Sequence, residues 1–461
     1  MDLVPHQLPS ENALAQPGDV GLGRQPQPAD LPPPPAEAIT MTPPLHVALI
    51  AVACSPSQGS ELGLGWKAVA ALSEKHRLTV FVHANHKEEI EVHLQSPRAE
   101  KSMANVSFVY VAKRHEHHRN QAIARLMTWH YYRLWLDECV EEVSRAHASS
   151  PFDLVHHVTY STWRMGSPFY QTGIPTVWGP VGGAGKVPWS AYGMLSKEAK
   201  VTETLRTVIS KLYSLLPAFR KSLEKNTVVL ASNEETKRFM EEHTDRSFPV
   251  VFPTYFESSE QGGEDCLPSG TGPLNCFYGG GIIGSKGIAL SFAAIALARD
   301  RGVDVVFRIA GPGPEVAHLE NTVNQLGIED RVTFLPLLKG RDYQEVLEKS
   351  DVFLFPSFRE NIGMTMVDSM LHNMAPIVLD TSAPGEIVTE ECGWKIPVAE
   401  NSVIVRKIAD ALIEADKDRA LLRRKAEAAK HRILGSYSKE QYLLQVEAAY
   451  DRAKNPRQSF R

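Results

Sequence analysis

From Leu45 onward the chain plays one pattern twice: a short apolar run, a turn rich in Gly or Ser, then an amphipathic segment. Apolar runs flanked by helices are strands buried on both faces, which is the arrangement of a parallel sheet covered by crossover helices. The first round predicts strands over His46–Ala53, Arg77–Val82, Val106–Val111, Leu154–Val158, Thr176–Trp178 and Thr227–Ala231, with a helix over Trp66–Lys75. The second predicts strands over Asn275–Tyr278, Asp304–Ala310, Val332–Phe334, Val352–Phe355 and Pro376–Leu379, and helices from about Ser402 onward. Between them, Glu257–Pro273 is acidic, rich in Gly and Ser and without periodicity, as a linker is. The expected fold class is α/β. Two Rossmann-like doubly wound domains, 45–256 and 274–430, face a central cleft, and a C-terminal helix within 431–461 packs back on the first domain. Ligands of open α/β sheets sit beyond the carboxyl ends of the strands, so chemistry is sought in the strand-to-helix turns.

Composition narrows the function classes. Lys plus Arg number 49 against 54 Asp plus Glu, a net charge of −5, so no basic excess exists to neutralise nucleic acid. The five cysteines are widely spaced with no Cys-x-x-Cys pair, which argues against a disulfide framework or structural zinc and for free thiols in a reducing cytoplasm. No run of apolar residues is long enough to span a bilayer, and the N-terminus lacks the basic-then-apolar order of a secretory signal. Eleven of the 31 prolines fall within residues 1–44, which read as a disordered tail, with Leu31–Pro35 as a polyproline stretch and Met41 as the expected natural start.

The richest chemistry lies in Ser350–Met370. A strand ends at Phe355, a loop carries Glu360, and a helix is expected to start near Ile362 or Gly363. The amides of Asn361, Ile362 and Gly363 then form an anion site at a helix N-terminus, and Asp368 lies two turns further on. Tyr278–Gly287 reads Tyr-Gly-Gly-Gly-Ile-Ile-Gly-Ser-Lys-Gly: its glycines, Gly280 and Gly281 among them, admit close approach of a ligand, and Lys286 supplies a point charge suited to phosphate. It is not a Walker P-loop, because the spacing and the Lys-Ser/Thr pair are missing. Gly311–Pro314 is a further strand-to-glycine turn.

This ordered set resembles the nucleotide-sugar domain of the retaining GT-B glycosyltransferases, family 4 in particular. That family's basic glycine turn, Gly-x-Gly-Pro turn, Asp-initiated strand ending in Pro-Ser, and paired acids eight residues apart are matched by Gly280–Gly287, Gly311–Pro314, Ser350–Ser357 and Glu360 with Asp368. Ala383–Val388 resembles the later glycine turn, and Gln58–Trp66 and Trp178–Gly183 match more loosely. The resemblance implies that Glu360 faces the anomeric centre of a donor sugar and Lys286 stabilises the leaving diphosphate. Asp368 would bind ribose hydroxyls, while Gly280, Gly281, Gly311 and the amides of Asn361, Ile362 and Gly363 shape the donor site. No cofactor and no metal is implied, since Lys286 and the helix N-terminus stand where a cation otherwise would. Three departures bear on this: Asp replaces Glu at Asp368, Gly281 stands where the family carries Arg, and Trp178 follows the strand where many members carry a catalytic-site His. Lys186, Arg164 and Arg359 are candidates to compensate.

In the first half the candidates for the acceptor or cleft are Gly59, Glu61, His156, His157, Gly182 and Gly183. Strand alternation would put one of the two histidines on the cleft, and a hydrogen-bonded core histidine fits the same residues equally well. Lys113–Arg119 reads as a solvated polar loop rather than a metal site, and Trp129–Trp135 as a core-packing stripe. Lys197–Lys225 carries Lys200, Arg206, Lys211, Arg220, Lys221 and Lys225 among apolar residues at helical spacing, the pattern of a helix lying on an anionic membrane. The expected function is transfer of a hexose-like sugar from a nucleoside diphosphate to a hydroxyl of a glycan or lipid-linked acceptor, with retention. The expected location is the cytoplasm, peripheral on the inner face of the membrane. Two other readings fit the same residues: a weakly active GT-B homologue serving as a scaffold, and a GT-B sugar-nucleotide epimerase or hydrolase.

Overall fold

The computed structural model describes residues 43–57, 59–96, 103–112, 128–257, 268 and 270–455. The sequence expectations for residues 1–42, for Lys113–Arg119 and for most of the linker lie outside the described residues.

The first half builds β1 (His46–Ile50), β2 (Arg77–His83), β3 (Val106–Val111), β4 (Leu154–His157), β5 (Thr176–Val181) and β6 (Val228–Ala231). The second builds β7 (Leu274–Gly279), β8 (Val305–Ala310), β9 (Val332–Leu335), β10 (Val352–Phe355), β11 (Ala375–Leu379) and β12 (Trp394–Ile396). The two sheets run β3-β2-β1-β4-β5-β6 and β12-β11-β10-β7-β8-β9, every pairing parallel. Both thus have the doubly wound order, and it reverses between β1 and β4 and between β7 and β10.

The helices of the first half are α1 (Ser60–Ser73), α2 (Lys87–Leu94), α3 (Thr128–Ser149), α4 (Lys197–Ser214), α5 (Pro217–Lys225) and α6 (Glu234–Glu241). Those of the second are α7 (Ile288–Asp300), α8 (Val316–Leu326), α9 (Gly340–Glu348), α10 (Met364–Leu371), α11 (Ser382–Ile387), α12 (Asn401–Lys417) and α13 (Arg419–Ser436), and α14 (Lys439–Lys454) follows. The second core is nearly all aliphatic and aromatic, with Phe277, Phe292, Phe307, Phe353 and Ile377 at most 1% exposed, and α13 contributes Leu422, Ala426, Ala429 and Ile433 to it. The chain returns to the first half after α13, at about Tyr437, whose carbonyl accepts from the Phe256 amide at 2.9 Å. Helix α14 then buries Tyr442, Val446, Ala449 and Tyr450 in the first core, beside Val47, Leu49 and Leu154.

Of the aromatic stripe of α3, Tyr131, Tyr132 and Trp135 are core, whereas His130 is exposed: Trp135 is fully buried and donates Nε1 to the Val111 carbonyl at 3.1 Å. The basic segment 197–225 is two helices rather than one, because Pro217 takes the first position of α5 and starts a new helix there. Cys54, Cys139, Cys276 and Cys392 are free and buried.

Candidate active site at the carboxyl ends of β7 and β10

Strands β7 and β10 are neighbours at the switch point of the second sheet, and their following loops line a cavity of about 230 Å³. Its floor is aromatic: the Tyr278 and Phe355 rings stack at 5.8 Å. Lys286 enters on a short 3-10 turn, Gly284–Lys286, with its ammonium 5.4 Å from the Phe355 ring centre. Its Nζ pairs with the Glu360 carboxylate, both side chains being largely buried. The two loops are tied at the backbone, since the Phe358 amide donates to the Ser285 carbonyl at 3.0 Å. A cation and an acid separated by 74 residues therefore meet in a fixed place.

The glycines earn their place by close approach. Gly311 has φ +136°, and a Cβ there would lie 2.1 Å from the Gly280 carbonyl oxygen, so the turns after β7 and β8 touch only because Gly311 carries no side chain. Gly281 differs: a Cβ on it meets nothing within 4 Å. Helix α10 starts at Met364 with Gly363 as its cap, left-handed at φ 80°. Among the described residues, the amides of Asn361, Ile362 and Gly363 donate to no protein acceptor, although Ile362 is only 6% exposed. Three unpaired amides next to Lys286 make a positive cradle without a side chain.

Lys286, Glu360, Asn361, Ile362, Gly363, Gly280 and Gly281 thus line one cavity, and from the first half Glu61 and Leu64 reach its rim. Asp368 is on the same helix but is not part of that lining. Its carboxylate lies 3.6 Å from His372 Nδ1, and burial raises its pKa against the opposing pull of Tyr343, His372 and Lys67. Gly182 meets Asn361 across the gap between the halves, and Ser232 at the end of β6 donates to Asn361 Oδ1 at 2.9 Å. Gly183 sits beside Arg164. Gly59 is the exposed cap of α1 and lines no part of the cavity; in its motif it is Gly65 that packs, against the Ala53 carbonyl.

The expectation that one of His156 and His157 faces the cleft is corrected. Both are buried, at 0% and 1% exposure, because helices cover both faces of this sheet. His156 Nε2 donates to the Gly179 carbonyl at 2.9 Å, which leaves Nδ1 to accept from the Tyr450 hydroxyl of α14 at 2.8 Å. Burial pushes His156 down to about 4 and His157 down to about 3, so both are neutral. His157 Nε2 lies 3.0 Å from the Tyr132 hydroxyl, which donates to the Tyr160 carbonyl, and the Tyr160 amide donates to Glu61 at 2.7 Å. His157 thus reaches the cavity rim only through this string. Trp178, at the position of the expected His, is fully buried.

Sequence reasoning missed the contribution of α4. Its Glu203 forms an ion pair with Arg359, the neighbour of Glu360, and its Arg206 turns inward rather than to solvent. Among the described residues, no group of three or more His, Cys, Asp or Glu side chains is placed to hold a metal ion, and no helix is long and apolar enough to cross a membrane. A larger surface hollow, about 690 Å³, lies between β12 and α12.

Residues 271–432 match the family described as Glycosyl transferases group 1. Over 214 residues the chain is 23% identical to an uncharacterized glycosyltransferase, YqgM, of Bacillus subtilis, covering 46% of this chain and 58% of that protein. Over 105 residues it is 35% identical to the 2-deoxystreptamine glucosyltransferase of Streptomyces kanamyceticus, covering 23% of this chain and 27% of that one. The chain therefore spans under two thirds of these curated relatives. Sucrose-phosphate synthase from Thermosynechococcus elongatus superposes with a TM-score of 0.58 at 14% identity, over 89% of this chain and all of that one. HepE of Anabaena, solved in complex with UDP and glucose, does so at 0.53 and 13% identity, over 88% and 99%. The fold is that of the GT-B proteins, and the second half carries a glycosyltransferase group 1 domain.

Proposed function

We propose that the chain is a glycosyltransferase that moves a hexose from a nucleoside diphosphate to a hydroxyl of a glycan or lipid-linked acceptor, with retention of configuration. The observation that carries this reading is the Lys286–Glu360 pair set beside the unpaired amides of Asn361, Ile362 and Gly363, inside the segment that matches the family. A diphosphate leaving a sugar gains negative charge as the glycosidic bond to phosphate breaks. Lys286 and the amides stand ready to stabilise that charge without reorganising, which is where electrostatic catalysis is strongest. Glu360, released from Lys286 as the phosphate takes over the ammonium, is left facing the anomeric carbon, where positive charge develops. On this reading the leaving group needs no metal. Asp368, on the helix that the amides begin, serves the ribose. UDP in the HepE structure supports a uridine donor as the first to try.

The test is release of nucleoside diphosphate from UDP-, GDP- and ADP-sugars, with and without EDTA. Release that disappears in Glu360→Ala and is indifferent to EDTA supports the reading. Release that survives Glu360→Ala, or that EDTA abolishes, contradicts the assigned chemistry. Binding of no donor by a folded protein returns the chain to the scaffold reading.

The partner on the acceptor side is proposed to include an anionic membrane surface. On α4 the buried residues are Ala199, Glu203 and Ser210, while Val201, Leu205, Val208 and Leu212 are each more than half exposed. Leu215 and Leu216 extend the stripe, and exposed Lys197, Lys211, Arg220 and Lys221 flank it. A helix with its apolar face outward and lysines beside it suits the boundary between headgroups and acyl chains.

A further inference from the structure

Where the two halves meet, three guanidinium groups gather around one carboxylate, and only Arg359 pairs with it. Arg359 holds Glu203 in a two-point ion pair, with Nη2–Oε1 at 3.1 Å, and its Nη2 also lies 3.4 Å from Ser285 Oγ. Arg206, on the same inner face of α4, has only the Gly183 carbonyl, at 3.5 Å. Arg164 donates to Ser210 Oγ at 2.8 Å and lies 4.8 Å from the Trp163 ring. Among the described residues neither Arg164 nor Arg206 has a carboxylate within ion-pair distance. Both are pushed down to about 10, first by burial, then by their cationic neighbours: Arg206 and Arg359 act on Arg164 against Tyr213, and Arg359 acts on Arg206 against the pull of Glu203. Three largely buried guanidinium groups beside a single carboxylate, Glu203, keep an excess of positive charge that a bound anion relieves.

Position says which molecule brings the anion. Arg164 and Arg206 belong to the first half, beside Gly183, whereas the proposed donor cradle of Lys286 and the amides belongs to the second. The adjoining Gly182 packs on Asn361, so the cationic cluster is one residue from the loop that carries Glu360. Arg359 turns to the cluster while its neighbour Glu360 turns to the cavity.

We propose that Arg164, Arg206 and Arg359 form a subsite for an anionic group, carboxylate or phosphate, borne by the acceptor. This rests on the transferase reading for the word acceptor, but not for the site. Guanidinium forks pair with both anions by two parallel hydrogen bonds, which makes arginine rather than lysine the suited residue.

The full-length chain is tested in two arms. In the first, transfer to methyl glucoside is compared with transfer to methyl glucuronide and to methyl glucoside 6-phosphate. The charged acceptors are expected to win by about tenfold or more in kcat/KM, the scale of a charge-assisted hydrogen bond. Arg164→Gln and Arg206→Gln should each erase the preference, and Arg206→Lys should restore part of it. A ratio is read because a donor defect scales all acceptors alike. No preference in the wild type, or one that survives both variants, overturns the proposal. In the second arm, inorganic phosphate is titrated calorimetrically in the presence of saturating UDP. Binding that weakens about tenfold in the Arg164→Gln/Arg206→Gln double variant supports the subsite. Absence of binding, or binding indifferent to the double variant, overturns it. Phosphate binding that depends on these arginines in a chain that turns over no donor would keep the subsite and sink the transferase reading.

Discussion

Gly182 and Asn361 close the gap between the two halves so tightly that a Cβ on Gly182 would stand 2.1 Å from Asn361 Oδ1. Asn361 is also held by Ser232 Oγ at 2.9 Å and is the immediate neighbour of Glu360 and Ile362. Nothing larger than glycine fits there unless Asn361 moves. Gly182→Ala is therefore expected to disturb the loop that carries Glu360 more than it disturbs either core. Transfer should fall about tenfold or more, since displacing a positioned group by a fraction of an ångström is enough to do so. Thermal unfolding should shift by only a few degrees. A variant with full activity would show that the loop position is not set by this contact.

The opposite test applies at Gly281. Its Cβ direction is open, and it lines the cavity opposite the unpaired amides. The missing arginine can therefore be added back without a clash. Gly281→Arg is expected to tighten binding of a nucleoside diphosphate by roughly threefold to thirtyfold, as one added charge-assisted contact would. Isothermal titration with UDP and GDP measures it. Unchanged or weaker binding would mean that the diphosphate does not lie near this turn.

Much of this was legible in the chain, and the gaps have physical causes. Strands β3 and β10 run over the residues that their apolar runs predict: β10 is buried on both faces, which gives it a sharp apolar outline, while β3 is a half-buried edge strand bounded by polar residues. Strand β5 runs three residues past its expected end, through Gly179 and Pro180, where the register breaks; Gly-Pro reads as a turn, yet the strand continues beyond it. Strand β12 was not anticipated: three residues at a sheet edge make no run to see. Lys286 and Glu360 were readable because each follows a strand at the same sheet end. The sequence marks Arg164 and Arg359 as candidate replacements for the missing arginine, and Arg206 as part of a membrane-facing helix, but their meeting was not legible, because they come from three separate elements and only the packing of α4 brings them together. His156 and His157 misled for the reason that served the strands, since a sheet covered on both faces buries both members of an alternating pair.

At another contact between the halves, α11 carries Glu386 against the start of α6. The Glu234 amide donates to Glu386 Oε1 at 2.8 Å, and Ser382 Oγ donates to Glu235 at 2.6 Å. Burial pushes the Glu386 carboxyl up to about 7, and the charges of Glu234 and Glu235 add to it, against the pull of that amide and Arg238. The sign follows from proton uptake. The folded state holds this proton more tightly than the unfolded chain does, so stability is lost as pH rises from about 4.5 through 7. Glu386→Gln keeps an acceptor for the amide and removes the charge. It is expected to stabilise the protein by roughly 1–3 kcal/mol at pH 8 and by little near pH 4.5. Thermal melts across that range decide it: a gain independent of pH, or a loss at pH 8, would remove Glu386 as the source.

The outward face of α4 yields a prediction about where the protein works. Val201, Leu205 and Leu212 are 68%, 56% and 60% exposed, so changing them to Ser removes no core contact. Partial insertion of such side chains contributes about 1 kcal/mol or more each, and each neighbouring lysine or arginine adds about 1 kcal/mol near an anionic leaflet. The wild-type chain should therefore co-sediment with vesicles containing phosphatidylglycerol and much less with neutral phosphatidylcholine. High salt should weaken the binding without abolishing it, because salt screens the lysines but not the apolar stripe. The Val201→Ser/Leu205→Ser/Leu212→Ser variant should lose the salt-resistant part while its melting temperature holds. If the wild type ignores both kinds of vesicle, the apolar face has another occupant. If it forms a dimer that this triple variant dissolves, that occupant is a second copy of the chain.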